Sequence, residues 1–278
     1  MRQTVLAAAA AFAVASGAMT IQASAADLDF MEPAPPPFVP TWQGFYIGGH
    51  VGYGEADLDV EQRLDYVDDF NAALNDSYSF GSSLSPNGLL GGAQAGYNWQ
   101  VNSLVFGIEG DISFTDWDQS TSVFASGDVP GLGGVGGLDP VDYAFGSASA
   151  EINFLASLRG RLGFAMDSVM IYGTGGVAWA DADARARMVV SDPGFPTETV
   201  FTGKESFNDI GFVVGGGASW MVIPQTFSVG VEGLYYFFDQ DETLIADSIP
   251  YDTGDLDVRA TASLDDAWVV RARADFHF

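Results

Sequence analysis

From Trp42 onward the chain alternates with a period of two. Phe45, Ile47, Val51 and Tyr53 share one parity; Gly44, Tyr46, Gly48, His50 and Gly52 share the other. The pattern returns with Leu89, Ala93, Ala95, Tyr97 and Trp99 against Gln94, Gly96 and Asn98. It returns again with Leu104, Phe106, Ile108, Ile112 and Phe114 against Glu109, Asp111 and Ser113. A fourth segment sets Ile152, Phe154, Leu158, Leu162 and Phe164 against Asn153, Ser157, Arg159 and Arg161, and others cover 169–181, 210–222, 227–237 and 268–278. Strict alternation predicts strands rather than helices. There are about eight, each of roughly ten or more residues, the length of a tilted strand crossing a bilayer.

The connections alternate in length. Short ones fall at 101–103, 165–168 and 223–226, and long ones at 55–88, 117–151, 182–208 and 239–266. Short turns at one end and long connections at the other are the pattern of an outer-membrane barrel. The predicted fold is all-β: a closed antiparallel transmembrane β-barrel of about eight strands, with short periplasmic turns and long acidic extracellular loops. A strand hidden within 182–208 would mark a wider barrel of about ten strands.

Charge sharpens this picture. The net charge is −27, yet 47% of residues are hydrophobic and 13% aromatic, too apolar for a disordered chain. The acid must therefore be segregated. The predicted loops carry much of it, including Asp65, Asp68, Asp69, Asp239, Asp241, Glu242, Asp252, Asp255 and Asp257. So acidic a chain repels nucleic acid. There is no cysteine, hence no disulfide and no thiolate metal site. Trp42, Trp99, Trp179, Trp220 and Trp268 fall near segment ends, where aromatic rings form girdles at the two membrane interfaces.

The N-terminus reads as an address. Arg2, an apolar run over 5–18 and the small-x-small site Ala23-Ser24-Ala25 make residues 1–25 a signal peptide. Residues 26–41, with Pro33, Pro35, Pro36, Pro37 and Pro40, form an extended periplasmic linker. The barrel occupies 42–278. No apolar stretch reaches the ~18 residues of a spanning helix, so the chain is expected in the cell outer membrane.

Parity also points charges into the lumen: Glu109, Asp111, Glu232 and Asp275 against Arg159, Arg161, Arg271 and Arg273. Counted from the periplasmic ends, Glu109, Arg159, Glu232 and Arg273 each lie about five residues up, on the order of 12 Å into the wall. They should share a layer and pair, because unpaired charges in a narrow interior are costly. An eight-stranded barrel is filled by its own side chains, so a plugged lumen is expected. His50 and His277 face inward, and no nucleophile–base–orienter set accompanies them. The stretch Gly131–Gly136 matches G-x-G-x-x-G without a following helix, and no Asp-x-Asp pair completes an EF-hand. Neither enzyme activity, nor a cofactor, nor a metal is expected.

Several stretches resemble the small outer-membrane immunogenic and opacity-type barrels of proteobacteria. They are Trp42-Gln43-Gly44-Phe45-Tyr46-Ile47-Gly48-Gly49, Gly91-Gly92-Ala93-Gln94-Ala95-Gly96-Tyr97-Asn98-Trp99, Leu158-Arg159-Gly160-Arg161-Leu162-Gly163 and Tyr172-Gly173-Thr174-Gly175-Gly176-Val177-Ala178. Phe278 and Phe276 look like the signal read by the barrel-assembly machinery. The resemblance implies outer-membrane lipid and lipopolysaccharide as surroundings and a structural envelope role; a porin or a loop-mediated adhesin are the alternatives. In some members of that family a mature barrel beginning Ala-Asp is joined to peptidoglycan through the alanine, which here is Ala26, followed by Asp27.

Overall fold

The computed structural model describes residues 41–68, 76–126, 143–191, 199–251 and 254–278. The expected signal peptide, residues 26–40 with Ala26, and Gly131–Gly136 lie outside them. The strands are β1 (Gly44–Asp68), β2 (Asp76–Leu84), β3 (Asn87–Val101), β4 (Leu104–Ser126), β5 (Tyr143–Met166), β6 (Val169–Ser191), β7 (Thr199–Ile223), β8 (Phe227–Tyr251) and β9 (Gly254–His277). All pairs are antiparallel, and β1 pairs with β9 to close the ring.

Nine strands make eight staves. On one edge of β1, Gly44–Glu55 pairs with β3 and Leu58–Tyr66 pairs with β2. β2 and β3 are two parts of one stave, broken at Ser85-Pro86, where proline has no N–H to give a ladder. The three short turns lie at one end, and each carries one residue at positive φ: Asn102, Asp167 and Gln225. Asn and Asp tolerate that region better than most residues. Phe278 donates its N–H to Phe45 O at 2.9 Å, so the C-terminus closes at the same end.

The predicted long loops are mostly strand. β1, β7 and β8 each run 25 residues, and β4, β5, β6 and β9 run 23 or 24. At ~3.3 Å per residue and ~40° of tilt, 25 residues rise about 60 Å, more than twice the ~25 Å apolar band of such barrels. The staves therefore continue far above the membrane. Asp65, Asp68, Asp239, Asp241, Glu242, Asp255 and Asp257, expected in loops, lie in strands; Asp69 and Asp252 lie outside the described residues.

The two tiers are built on opposite rules. In the lower tier the outer face is apolar: Phe45, Ile47, Val51, Phe106, Ile108, Leu162, Phe212 and Val270 are exposed. In the upper tier the apolar residues turn inward. Ala56, Leu58, Val60, Ala148, Ala150, Ala180, Ala182, Ala184, Val258, Ala260 and Leu264 are buried in one cluster with Trp117 and Phe238. Their neighbours Asp57, Asp59, Glu61, Asp255 and Asp257 are exposed. Lipid outside favours apolar positions on the outer face; water outside reverses the preference.

The ring also opens between the tiers. The β3–β4 ladder ends at Leu90↔Thr115 and the β7–β8 ladder at Phe212↔Phe237. Above them the described pairings form two four-stranded sheets, β2-β1-β9-β8 and β4-β5-β6-β7. Both contribute to the shared apolar cluster. Register breaks fall near this level on β4 (Phe114/Trp117), β5 (Ile152/Phe154), β8 (Phe237/Gln240) and on the β1–β9 ladder (Asp57/Leu58). Bulges bend strands and increase twist, which a transition from barrel to paired sheets needs.

Two expected outward residues turn inward. Ile152 is 1% exposed, because the bulge at Asn153 reverses parity along β5. Trp42 is also 1% exposed and sits in the lumen rather than in a girdle. Trp99, Trp179, Trp220 and Trp268 are on the outer face.

Candidate functional site

The lower lumen is filled in layers. At the turn end, Trp42 packs with Val105, Ala165, Met170, Tyr172 and Met221. Its backbone N–H donates to Gln100 Oε1 at 2.7 Å, and its ring meets His277 edge-on at 5.9 Å. His277 Nε2 and Ser228 Oγ are 2.9 Å apart.

Above this plug the eight inward charges come together. Glu109 Oε2 accepts from Arg161 Nη2, Arg273 Nη2 and Tyr46 OH, each at 2.6 Å, and Glu109 Oε1 accepts from Arg159 Nη2. Glu232 Oε2 accepts from Arg271 Nε at 2.8 Å, and Glu232 Oε1 lies 3.2 Å from Arg159 Nη1. Asp111 bridges Arg159 at 2.9 Å and Arg271 at 3.0 Å and accepts from Ser157 Oγ at 2.6 Å. Arg273 Nε donates to Asp275 Oδ2 at 2.9 Å. Four carboxylates meet four guanidinium groups, so the buried layer is formally neutral.

Strand register sets the layer. Glu109 lies directly opposite Arg159 on β4–β5, and Glu232 directly opposite Arg271 on β8–β9. The same register places His50 opposite Arg273 on β1–β9. The layer therefore spans the bore rather than lining one wall. Glycines make room for it. A Cβ added at Gly48 would stand 2.3 Å from Asp275 Oδ1 and 2.7 Å from Gln94 Nε2.

Neutral partners join the layer. Arg161 stacks on the Tyr172 ring at 4.1 Å and faces Tyr46 at 5.5 Å, two cation–π contacts inside the lumen. A relay of bonds runs from Asp275 Oδ1 to Gln94 Nε2 at 2.7 Å, from Gln94 Oε1 to His50 Nδ1 at 2.7 Å, and from His50 Nε2 to Ser113 Oγ at 2.8 Å. Parity already turned Tyr46, His50, Gln94 and Ser113 inward; their service to the charged groups depends on cross-barrel distances that alternation does not carry. Parity likewise turns Ser157 inward, whereas it does not single out Tyr172.

The layer's chemistry is that of a fastening. Its carboxylates are occupied by guanidinium groups, and its histidines are bonded to Gln94, Ser113 and Ser228. Among the described residues no cluster of His, Asp or Glu is arranged to hold a metal ion. At the C-terminal end, Phe276 and Phe278 present their rings outward, 5.8 Å apart, with Phe45 5.9 Å from Phe278.

No protein-family profile matches the chain. A 31 kDa outer-membrane immunogenic protein of Brucella melitensis is 32% identical over 163 residues, covering 56% of this chain and 59% of that protein. A 22 kDa outer membrane protein of Rhizobium leguminosarum bv. viciae is 27% identical over 182 residues, covering 66% of this chain and 58% of that protein. The chain thus spans less than two thirds of the length of these relatives. Among solved structures, Ail, the attachment invasion locus protein of Yersinia pestis, is 14% identical with a TM-score of 0.30, covering 84% of this chain and 99% of that one. That likeness is too distant to carry an argument. With a closed antiparallel ring, a lipid-facing apolar band and similar proteins named for the same membrane, the chain is an outer-membrane β-barrel protein, similar over 56% of its length to a 31 kDa outer-membrane immunogenic protein.

Proposed function

We propose that this protein is a structural component of the outer membrane that supports envelope integrity, and that it is not an enzyme. The observation that carries the proposal is the filled lumen: the Trp42 plug, the eight-charge layer and the apolar cluster follow one another along the bore. A solute channel needs a polar path, and a buried neutral ion network between two apolar layers is a poor one. The porin alternative loses support for that reason. Lipid and lipopolysaccharide are the proposed surroundings, and the barrel-assembly machinery the proposed reader of Phe276 and Phe278.

The same proposal includes a tether. Cleavage after Ala25 would free the amine of Ala26, and the proline-rich segment that follows would carry it on the order of 25 Å from the barrel. The first described strand begins at the turn end, beside the C-terminus, so a segment preceding it starts from the periplasmic side. The test digests purified sacculi with a glycan hydrolase and a protease and searches by mass spectrometry for an Ala26-led peptide bearing a muropeptide. A deletion strain is compared in parallel for detergent sensitivity and vesicle shedding. Expected are the conjugate and a leaky envelope. Free N-terminal peptide alone would remove the tether; an intact envelope in the deletion strain would remove the structural role.

A further inference from the structure

On the outer face of the upper tier, β5, β6 and β7 enclose a groove of about 350 Å³ lined by Arg185, Arg187, Lys204, Ser147, Ser149 and Thr202. The ladder fixes its rows: Ser149, Arg185 and Lys204 lie side by side, and Ser147, Arg187 and Thr202 form the next row. Three cations and three hydroxyls thus face one shallow space.

The charge distribution makes this groove unusual for the molecule. The chain has 10 basic residues against 37 acidic ones. Four basic residues are the lumen arginines and Arg2 lies in the expected signal peptide, which leaves Arg63, Arg185, Arg187, Lys204 and Arg259. Three of those five share the groove. Arg185 stands directly opposite Lys204, and like charges in that position destabilise a sheet. None of the three makes an ion pair among the described residues, whereas Arg63, elsewhere on this tier, is paired to Asp65 at 2.8 Å. Below the groove, Asp183 accepts hydrogen bonds from Ser206 and Asn153, and Lys204 and Arg185 act on it through space without an ion-pair contact. Among the described residues three cations thus share one place without an ion-pair contact, which fits an anion supplied from outside.

Height selects the anion. Trp179 is the exposed aromatic at the top of the lipid-facing band on β6, and Arg185 and Arg187 follow six and eight residues later. At ~3.3 Å per residue and ~40° of tilt they stand about 15 to 20 Å above it. The headgroup zone of a bilayer extends only about 5 to 8 Å beyond the hydrocarbon. The groove is therefore above phospholipid headgroups and at the level of the sugars that lipopolysaccharide raises over the outer leaflet.

We infer that the Arg185–Arg187–Lys204 groove binds the phosphate- and carboxylate-bearing core sugars of the surrounding lipopolysaccharide. The cations take the anionic groups through charge-assisted hydrogen bonds, and Ser147, Ser149 and Thr202 offer partners to sugar hydroxyls. The inference rests on the outer-membrane placement and not on the peptidoglycan tether, so it stands or falls separately from that link.

The experiment uses the full mature barrel in lipid nanodiscs and measures binding of delipidated, phosphorylated core oligosaccharide by calorimetry at several salt concentrations. Wild type should bind with an affinity that falls as salt rises, and dephosphorylated core should bind less well. R185Q/R187Q/K204Q should bind at least about tenfold more weakly, the order set by losing charged hydrogen bonds, while keeping the gel shift of a folded barrel. Should the triple variant not fold, R187Q alone and the dephosphorylated ligand on wild type give the same decision. Equal binding by the variant, or equal binding of dephosphorylated core, overturns the inference. So does a wild-type barrel that binds a sulfated glycosaminoglycan fragment but not the core, since the groove would then serve a ligand from outside the cell.

Discussion

Glu109 and Arg273, 164 residues apart in the chain, meet across the lumen with Arg273 Nη2 donating to Glu109 Oε2 at 2.6 Å. Both are essentially buried, and each also has other charged partners. Removing one leaves an uncompensated charge in the interior; removing both does not. Arg273→Met should therefore destabilise the barrel by about 3 to 5 kcal/mol. Glu109→Leu combined with Arg273→Met should recover a substantial part of that loss. Urea titrations of the refolded barrel in micelles provide the measurement. Additive losses in the double variant would mean the two side chains act independently.

The filled bore predicts electrical silence. Purified protein in planar bilayers should give no stable conductance step. Replacing Trp42 with Ala alone should leave it silent, because the charged layer and the apolar cluster above it remain. A stable large step from wild type would return the protein to the channel class.

Much of the lower tier is legible in the sequence, and the reason for the limit is specific. Along β1 the outward apolar residues Phe45, Ile47, Val51 and Tyr53 are odd-numbered, whereas the buried Ala56, Leu58 and Val60 are even-numbered. The strand does not end at Tyr53; the medium outside it changes from lipid to water. A reading that follows one apolar parity stops there and assigns the acidic continuation to a loop, especially as Asp has low strand propensity. On β5 the bulge at Asn153 hides the same continuity by shifting the register. The inward parity of Glu109, Arg159, Glu232 and Arg273 carries their placement. The Gln94–His50–Ser113 relay and the Arg161–Tyr172 contact depend on distances across the bore and leave no trace in alternation. The Arg185–Lys204 juxtaposition is equally silent, since it requires the register of β6 against β7.

Asp183 offers a pH-dependent readout outside the membrane. Hydrogen bonding from Ser206, then from Asn153, with the nearby Lys204 and Arg185 charges, holds its carboxyl below the usual carboxylate range. A depressed folded-state value means that its stabilising contribution is present above the ordinary value of about 3.9 and is lost as pH falls through the folded value. Ser206→Ala should move the Asp183 titration back toward the ordinary range, read by carbon-13 carboxyl shifts in micelles. An unchanged titration would transfer the effect to the cations, and R185Q/K204Q would then be the variant that moves it.

The last prediction separates the two tiers. Ala184 is fully buried between the sheets, opposite Ala150 on β5, in a row with Ala180, Ala182 and Ala186. These alanines face a cluster that includes Leu58, Val60, Val258 and Leu264, so small side chains on one sheet meet larger ones on the other. Ala184→Leu inserts three carbons into that interface, and overpacking of this kind costs about 1 to 3 kcal/mol. The cost should fall on the upper tier, because the lower tier is held by its own charge layer and by the continuous ladders around it. Amide hydrogen exchange in micelles distinguishes the tiers. Protection should drop at 144–152 and 182–190, while amides near Gly107, Gly160 and Gly216 keep theirs. A parallel exchange at the outward neighbour, Arg185→Leu, should leave both tiers protected. Uniform loss of protection in Ala184→Leu would mean that barrel and extracellular sheets unfold as one unit, and the upper tier would then be a continuation of the barrel rather than a second body built on it.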